Sequence, residues 1–249
     1  MHVRRKLVAG NWKMNGSIAA LQELSAIAAA ARAASGVDVA ICPPFTLIAP
    51  AAARSGGMAI GAQDCHWAAS GAHTGNVSAA MLKEAGARLA IVGHSERRAD
   101  EGEGDDLIRR KAEAVLATGL QAIVCVGETD EQRRSGRAIE VVTAQLAGSL
   151  PDPRGEAELV VAYEPVWAIG TGNVATPADI AEMHAAIRAH LLGRFGDAGG
   201  RIRILYGGSV KADNARELFA VADVDGALVG GASLTAAQFV PIVEAATGA

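Results

Sequence analysis

A lysine, a histidine and a glutamate each stand just past a short apolar run, and together they could carry out acid–base chemistry at a carbonyl. Lys13 ends the segment Gly10-Asn11-Trp12-Lys13, His94 follows Gly93, and Glu164 follows Tyr163. A lysine supplies positive charge, a neutral imidazole donates a hydrogen bond, and a carboxylate accepts a proton. This combination suits removal of a proton next to a carbonyl, because the developing oxyanion needs hydrogen-bond donors.

The residues that follow His94 and Glu164 predict how each group is tuned. Ser95-Glu96-Arg97-Arg98 indicates the first turn of a helix, whose N–H groups and dipole should keep the His94 ring neutral. Pro165-Val166-Trp167 should partly desolvate Glu164 and raise its pKa. Taken singly, Lys13 also fits a surface lysine, His94 a satisfied interior histidine, and Glu164 a solvated carboxylate.

The elements that would bring these residues together recur along the chain. An apolar run, a polar or glycine-rich loop and a helical pattern follow one another eight times, and continuous apolar runs are typical of buried strands in a parallel sheet. Eight units without a linker predict one (β/α)8 barrel domain over residues 1–249, an α/β fold with eight parallel strands. The runs are Leu7–Gly10, Val37–Cys42, Met58–Ala62, Leu89–Val92, Ala122–Val126, Leu159–Ala162, Ile202–Tyr206 and Gly226–Val229.

Helix signals lie between the runs. Thr176-Pro177 places a capping hydroxyl before a first-turn proline. Three glycines stand where helices should end: Gly36, Gly86 and Gly119. One apolar stripe at helical spacing comprises Ile18, Leu21, Leu24, Ile27 and Ala28.

The alternative architecture is a doubly wound sheet, which usually carries G-x-G-x-x-G after its first strand. Here that place holds Gly10-Asn11-Trp12-Lys13, so the barrel is favoured. A barrel forms its active site at the carboxyl ends of its strands, which would gather the loop residues into one site. Gly207-Gly208-Ser209 and Gly230-Gly231 follow the seventh and eighth runs, where barrels commonly hold phosphate on backbone N–H groups.

Composition excludes several other classes of protein. The chain has 249 residues, 50% of them hydrophobic and 20% charged, with a net charge of -4, so we expect a globular protein without a nucleic-acid patch. No apolar run is long enough to span a membrane, and the N-terminal run is too short for a signal peptide, so we expect a cytoplasmic location. Three cysteines without a C-x-x-C motif predict reduced, buried thiols and no metal site.

The sequence resembles the triosephosphate isomerase family over nearly its whole length. The resemblance implies a dimeric barrel enzyme of glycolysis and gluconeogenesis that interconverts dihydroxyacetone phosphate and D-glyceraldehyde 3-phosphate without metal or cofactor. The segments that carry it are Ala9–Asn15, Ala62–Asp64, Val92–Arg98, Cys125–Glu128, Tyr163–Gly172, Tyr206–Val210 and Gly230–Leu234.

The resemblance also implies a role for individual residues. Glu164 would be the base and His94 the electrophile, while Lys13 and Asn11 would assist binding of substrate and oxyanion. Glu96 would support Lys13 and His94, and Thr74 would reach Asn11 of a second subunit. The phosphate would be held by Gly170, Ser209, Gly230 and Gly231.

Four positions depart from the family pattern. His73 stands where an aromatic residue is usual, and Asn76 stands where a glutamate usually pairs with an arginine of the second subunit matching Arg97. Asn173-Val174 replaces the more frequent lysine and threonine after a loop whose composition suggests a lid. The residues alone leave open a barrel aldolase, another sugar-phosphate isomerase, or a barrel that only binds phosphorylated ligands.

Overall fold

Eight parallel strands close into a barrel in which each strand pairs with its neighbours in sequence and the last pairs with the first. The computed structural model describes residues 4–152, 159–169 and 174–248, so Gly170 and Asn173 lie outside the described residues. The predicted fold class is confirmed. The strands are β1 (Lys6–Asn11), β2 (Val37–Cys42), β3 (Ala59–Ala62), β4 (Leu89–Val92), β5 (Gln121–Val126), β6 (Leu159–Tyr163), β7 (Arg203–Tyr206) and β8 (Gly226–Val229).

Helices alternate with the strands around the outside. Thr176 forms a capping box with Asp179 at the start of the longest described helix, as the Thr-Pro pair predicts. The helices are α1 (Glu23–Ala33), α2 (Ile48–Ala52), α3 (Ala79–Glu84), α4 (Ser95–Asp100), α5 (Asp105–Ala117), α6 (Asp130–Arg134), α7 (Ala138–Ser149), α8 (Pro177–Phe195), α9 (Ala215–Phe219) and α10 (Ala236–Ala246).

The predicted helix ends are confirmed, but one predicted core residue is not in the core. Gly36, Gly86 and Gly119 have φ of +81°, +99° and +76°, a left-handed conformation that glycine adopts without steric cost. Ile18 is 58% exposed, because the chain enters α1 through a 3-10 turn, Ala19–Gln22, and Ile18 precedes that turn. The expected apolar stripe therefore begins at Leu21.

Two apolar cores hold the barrel. One fills its interior, and the other lies between the strands and the surrounding helices. Cys42 and Cys125 belong to the interior core, and all three cysteines are buried and unbridged. No helix within the described ranges is long and apolar enough to cross a membrane.

Candidate active site

The carboxyl ends of the strands surround a cavity of about 340 Å³, here called the catalytic cavity. Ile169, the last described residue before the predicted lid tip, lies at its edge. Seven of the predicted site residues line it: Asn11, Lys13, His94, Glu164, Ser209, Gly230 and Gly231. Of the other predicted residues, Glu96 contacts two of these seven, Thr74 is exposed on the loop after β3, and Gly170 is not described.

His94 and Glu164 form a buried pair at the centre of this cavity. The Nε2 of His94 lies 2.8 Å from Oε1 of Glu164, and the two side chains are 7% and 2% exposed. His94 is the residue before α4, and its Nδ1 accepts a hydrogen bond of 3.3 Å from the backbone N–H of Glu96. Only an unprotonated Nδ1 can accept, so the ring carries its proton on Nε2 and donates it toward Glu164, as the helix signal predicts.

The pKa values of the pair show two opposing causes. Burial lowers the pKa of His94, but the Glu164 carboxylate outweighs burial and leaves the pKa raised. Burial raises the pKa of Glu164, but His94 and the backbone N–H of Ser95, 2.8 Å from Oε2, leave it lowered. The prediction of a raised Glu164 pKa is therefore wrong for this arrangement, because the carboxylate rests against two donors that the sequence pattern did not place.

Lys13 is held over the cavity by a strained backbone and by polar contacts at its N–H and its Nζ. Its φ of +52° is rare for a residue other than glycine. Its N–H donates to Oδ1 of Asn11 at 3.0 Å, and its Nζ lies 2.5 Å from Oε1 of Glu96. The other carboxylate oxygen of Glu96 lies 3.6 Å from Nδ1 of His94, so the partner of the Lys13 cation also lies beside the imidazole.

Glycines directly after the neighbouring strands β5 and β7 make room for the base. A Cβ at Gly127 would lie 1.8 Å from the carbonyl oxygen of Glu164, and one at Gly207 would lie 2.9 Å from its Cγ. On the opposite side, Gly230 lies beside Lys13, and a Cβ there would be 3.6 Å from Cε. Gly231 begins a 3-10 turn, whose first N–H groups have no acceptor within the turn and can bind an anion.

Sequence reasoning missed the role of Glu128, which anchors the segment after the base. Glu128 is fully buried, and its Oε1 accepts from Trp167 Nε1 at 2.8 Å and Tyr163 Oη at 3.1 Å, while Arg133 lies 3.2 Å away. These contacts fix the start of the predicted lid on both sides of Glu164. An acidic residue two positions after the apolar run Ala122–Val126 was the available signal.

Arg97 has partners within its own chain. Its guanidinium contacts Glu103 at 2.6 Å and Asp64 at 3.2 Å. Both carboxylates also bind the buried Lys111, at 2.6 and 2.7 Å. Arg97 therefore has two carboxylate partners in its own chain, although position 76 carries no glutamate. Within the described ranges, no cluster of three or more histidine, cysteine, aspartate or glutamate side chains could hold a metal ion.

Comparison with known proteins identifies this arrangement. The family model described as triosephosphate isomerase matches residues 6–246. The chain belongs to the triosephosphate isomerase family. It is 61% identical to the triosephosphate isomerase of Ruegeria sp. (strain TM1040) over 97% of this chain and 98% of that protein. The corresponding enzyme of Ruegeria pomeroyi is 60% identical, with 98% of each chain covered.

A solved structure agrees with the sequence relatives. The crystal structure of triosephosphate isomerase from Bartonella henselae matches with a TM-score of 0.90 and 49% identity, covering 97% of this chain and 98% of that one. The chain is thus an aldose–ketose isomerase that interconverts dihydroxyacetone phosphate and D-glyceraldehyde 3-phosphate. The aldolase and the binding-only alternatives are excluded by this membership.

Proposed function

We propose that Glu164 and His94 carry out the isomerisation in this chain as base and electrophile. The observation that supports this most directly is the 2.8 Å contact between Nε2 of His94 and the Glu164 carboxylate inside the catalytic cavity. A substrate carbonyl that accepts the Nε2–H would release the carboxylate to face the carbon next to it. Base and donor would then act on adjacent atoms of one small molecule.

The proton transfer balances without a cofactor. Glu164 removes a proton from the carbon that bears the hydroxyl group, the C–H electrons form a carbon–carbon double bond, and the carbonyl oxygen becomes an oxyanion. His94 and Lys13 stabilise this enediolate by donation and by charge. Return of the proton from Glu164 to the other carbon, with a proton moving between the two oxygens, gives the isomer.

Substrate binding would also tune the base. In the described arrangement His94 and Ser95 lower the pKa of Glu164 against burial, which raises it. When Nε2–H donates its hydrogen bond to a substrate oxygen in place of Glu164, one of the contacts that lower the pKa of Glu164 is lost, while the side chain stays buried. The carboxylate then becomes more basic at the point where it must accept a proton.

We further propose that the phosphate binds between the turns after β7 and β8. Ser209, Gly230 and Gly231 line the cavity beside Lys13, which supplies the positive charge. Gly170 remains a predicted fourth partner outside the described residues. Phosphate held here supplies binding energy remote from the reacting carbons.

Lys13→Ala tests this binding role, with Lys83→Ala as the matched control. Lys83 lies on α3, where its Nζ donates to the carbonyl of Thr118 outside the cavity. In a coupled assay Lys13→Ala should raise KM and lower kcat, and the control should change neither. If Lys13→Ala bound inorganic phosphate and substrate as tightly as the parent, the proposed role of Lys13 would be wrong.

We propose that the working unit is a cytoplasmic homodimer in which Thr74 of each subunit supports Asn11 of the other. A second cavity of about 230 Å³ opens beside the catalytic one and is lined by Asn11, Lys13, Met14 and Phe45. Met14 is 96% exposed and Phe45 is 40% exposed, an apolar rim that a partner would cover. Thr74 is exposed on a loop of its own subunit, where a neighbour could meet it.

Sedimentation and turnover of Thr74→Ala test the dimer, with Thr247→Ala near the C-terminus as the control. The parent should sediment as a dimer, and Thr74→Ala should lose turnover while the control keeps it. A parent protein that is monomeric and fully active at assay concentration contradicts the dimer without affecting the assignments of Glu164 and His94.

A further inference from the structure

A third cavity lies at the end of the barrel opposite the catalytic cavity. It has a volume of about 470 Å³ and is lined by the amino-terminal ends of several strands, including Leu7 of β1, Ala59 of β3 and Leu89 of β4. We call it the floor cavity. Its volume is within the range of small-molecule sites and exceeds the 340 Å³ of the catalytic cavity.

The lining of the floor cavity is basic in a chain of net charge -4. Three arginines, Arg32, Arg88 and Arg203, face a single aspartate, Asp38, which leaves two positive charges among the lining residues. Asp38 is already shared, because Arg5 lies 2.9 Å from Oδ1 and Arg203 lies 2.7 Å from Oδ2. Both oxygens of its carboxylate are therefore already paired with an arginine other than Arg32 and Arg88.

Arg88 is fixed at its backbone and free at its guanidinium. Its N–H donates to the carbonyl of Ile60 at 2.7 Å, and its carbonyl accepts from the N–H of Gln121 at 3.0 Å. Its side chain has no hydrogen bond or ion pair to any residue in the described part of the chain. Arg88 is exposed, so the five N–H groups of its guanidinium are open to solvent and to a ligand that enters the cavity.

Arg32 approaches from α1 and is positioned by a turn. Its Nη1 donates to the carbonyl of Gly56 at 3.2 Å. Gly56 has φ of +57°, and a Cβ there would lie 2.9 Å from Nη1, so the glycine makes room for the guanidinium. One carbonyl occupies only part of the fork, which leaves further N–H groups for a ligand.

We infer that the floor cavity binds a compact anion of two or three negative charges that carries at least two phosphate or carboxylate groups, so that separate groups can bind Arg32 and Arg88. Guanidinium groups match both kinds of oxyanion with paired hydrogen bonds. The site is separate from the isomerase site, because no residue lines both cavities. This ligand would not compete with the triose phosphate, and its second oxyanion group would distinguish it from that substrate.

Isothermal titration of the full chain with inorganic pyrophosphate tests the inference, and a parallel titration with citrate distinguishes phosphate from carboxylate ligands. Saturating glycerol 3-phosphate should displace the probe from the catalytic cavity. We expect one bound probe per subunit to remain at the floor cavity. Retention of either probe supports the inference and shows which oxyanion the cavity prefers.

The variants Arg32→Gln and Arg88→Gln should each weaken this remaining binding at least tenfold, and the double variant should abolish it. Arg216→Gln is the matched control, because Arg216 is exposed on α9 and lines neither cavity. Turnover of all these variants should equal that of the parent, which shows that they fold. The inference is overturned if glycerol 3-phosphate displaces all bound probe, or if the double variant retains the remaining binding as Arg216→Gln does.

Discussion

Two buried histidines show how much the partner of a side chain decides its chemistry. His94 in the catalytic cavity is 6% exposed, and His184 on α8 in the helix layer is fully buried. His94 lies against a carboxylate, which raises its pKa. His184 has Nδ1 2.9 Å from the carbonyl of Asp223 and no partner for Nε2 among the described residues, and burial lowers its pKa to about 4. Burial without a carboxylate partner keeps a histidine neutral and unreactive. Burial beside a carboxylate that substrate binding can free allows a histidine to act in catalysis.

Removing the carboxylate from the catalytic pair should have the largest effect. Glu164→Gln keeps the shape of the side chain but cannot accept a proton, so turnover should fall by about 10³–10⁴-fold. Phosphate-ligand affinity should change little. A coupled assay and a titration with glycerol 3-phosphate measure the two effects. Glu113→Gln on α5 is the control, and near-parental turnover in purified Glu164→Gln would remove the base from the mechanism.

Replacing the catalytic imidazole should have the next largest effect. His94→Gln removes the donor aimed at the developing oxyanion, and loss of one such donor typically lowers turnover by about 10²–10³-fold. His190→Gln, on α8 outside the cavity, is the matched control and should keep full turnover. Equal turnover in the two variants would show that His94 is a structural histidine like His184.

His184 should affect stability and leave turnover unchanged. Its pKa of about 4 in the folded chain lies below the usual value of about 6.5 in an unfolded chain, so the unfolded chain binds the proton first as pH falls. The stability contribution is complete above pH ~6.5 and is lost progressively toward pH ~4, by up to about 3 kcal/mol.

Urea unfolding of the parent and of His184→Asn between pH 7 and pH 4.5 measures this difference. The variant should be less stable at pH 7, because it lacks the fitted ring, and its stability should fall less steeply with pH. Carboxylates titrate in both proteins and cancel in the comparison. Parallel curves for the two proteins would mean that His184 does not stay neutral in the folded chain.

The smallest effect is expected from thiol reagents. They extend the comparison to the three cysteines by testing whether burial makes their thiols unreactive. Burial raises the pKa of Cys42 and of Cys65 to about 12, and raises that of Cys125 well above its ordinary value. At pH 8 the thiolate of Cys42 is about 10⁻⁴ of the total, so iodoacetamide should leave the native enzyme active. Mass spectrometry of native and urea-unfolded samples should find alkylation only after unfolding. Rapid alkylation of the native chain would contradict the prediction.

The sequence predicts the ends of strands better than the contacts made beyond them. Eight apolar runs are enough to place Lys13, His94 and Glu164 around one cavity, because parallel strands of a closed barrel present their carboxyl ends on one side. The helix signal after His94 also predicts the N–H that fixes its tautomer. Both rest on local sequence and a topological rule.

Contacts that depend on side-chain direction could not be predicted in this way. The lowered pKa of Glu164 follows from a carboxylate turned onto His94 and Ser95, and neither contact has a sequence signature. The floor cavity is similar, since Arg32, Arg88 and Arg203 are far apart in the chain and meet only when the barrel closes.

The backbone conformation of Lys13 lowers the stability of the fold, although the chemistry needs its side chain. Lys13 and Asp223 are the two residues other than glycine with positive φ in the described ranges. Such a conformation costs of order 1–3 kcal/mol, and glycine at the same position would relieve it. Selection for thermal stability alone would therefore replace the lysine with glycine and yield a sturdier protein without its cation. Libraries screened only for heat resistance should lose the enzyme at this position, so thermostabilised variants of this chain need an activity screen from the first round.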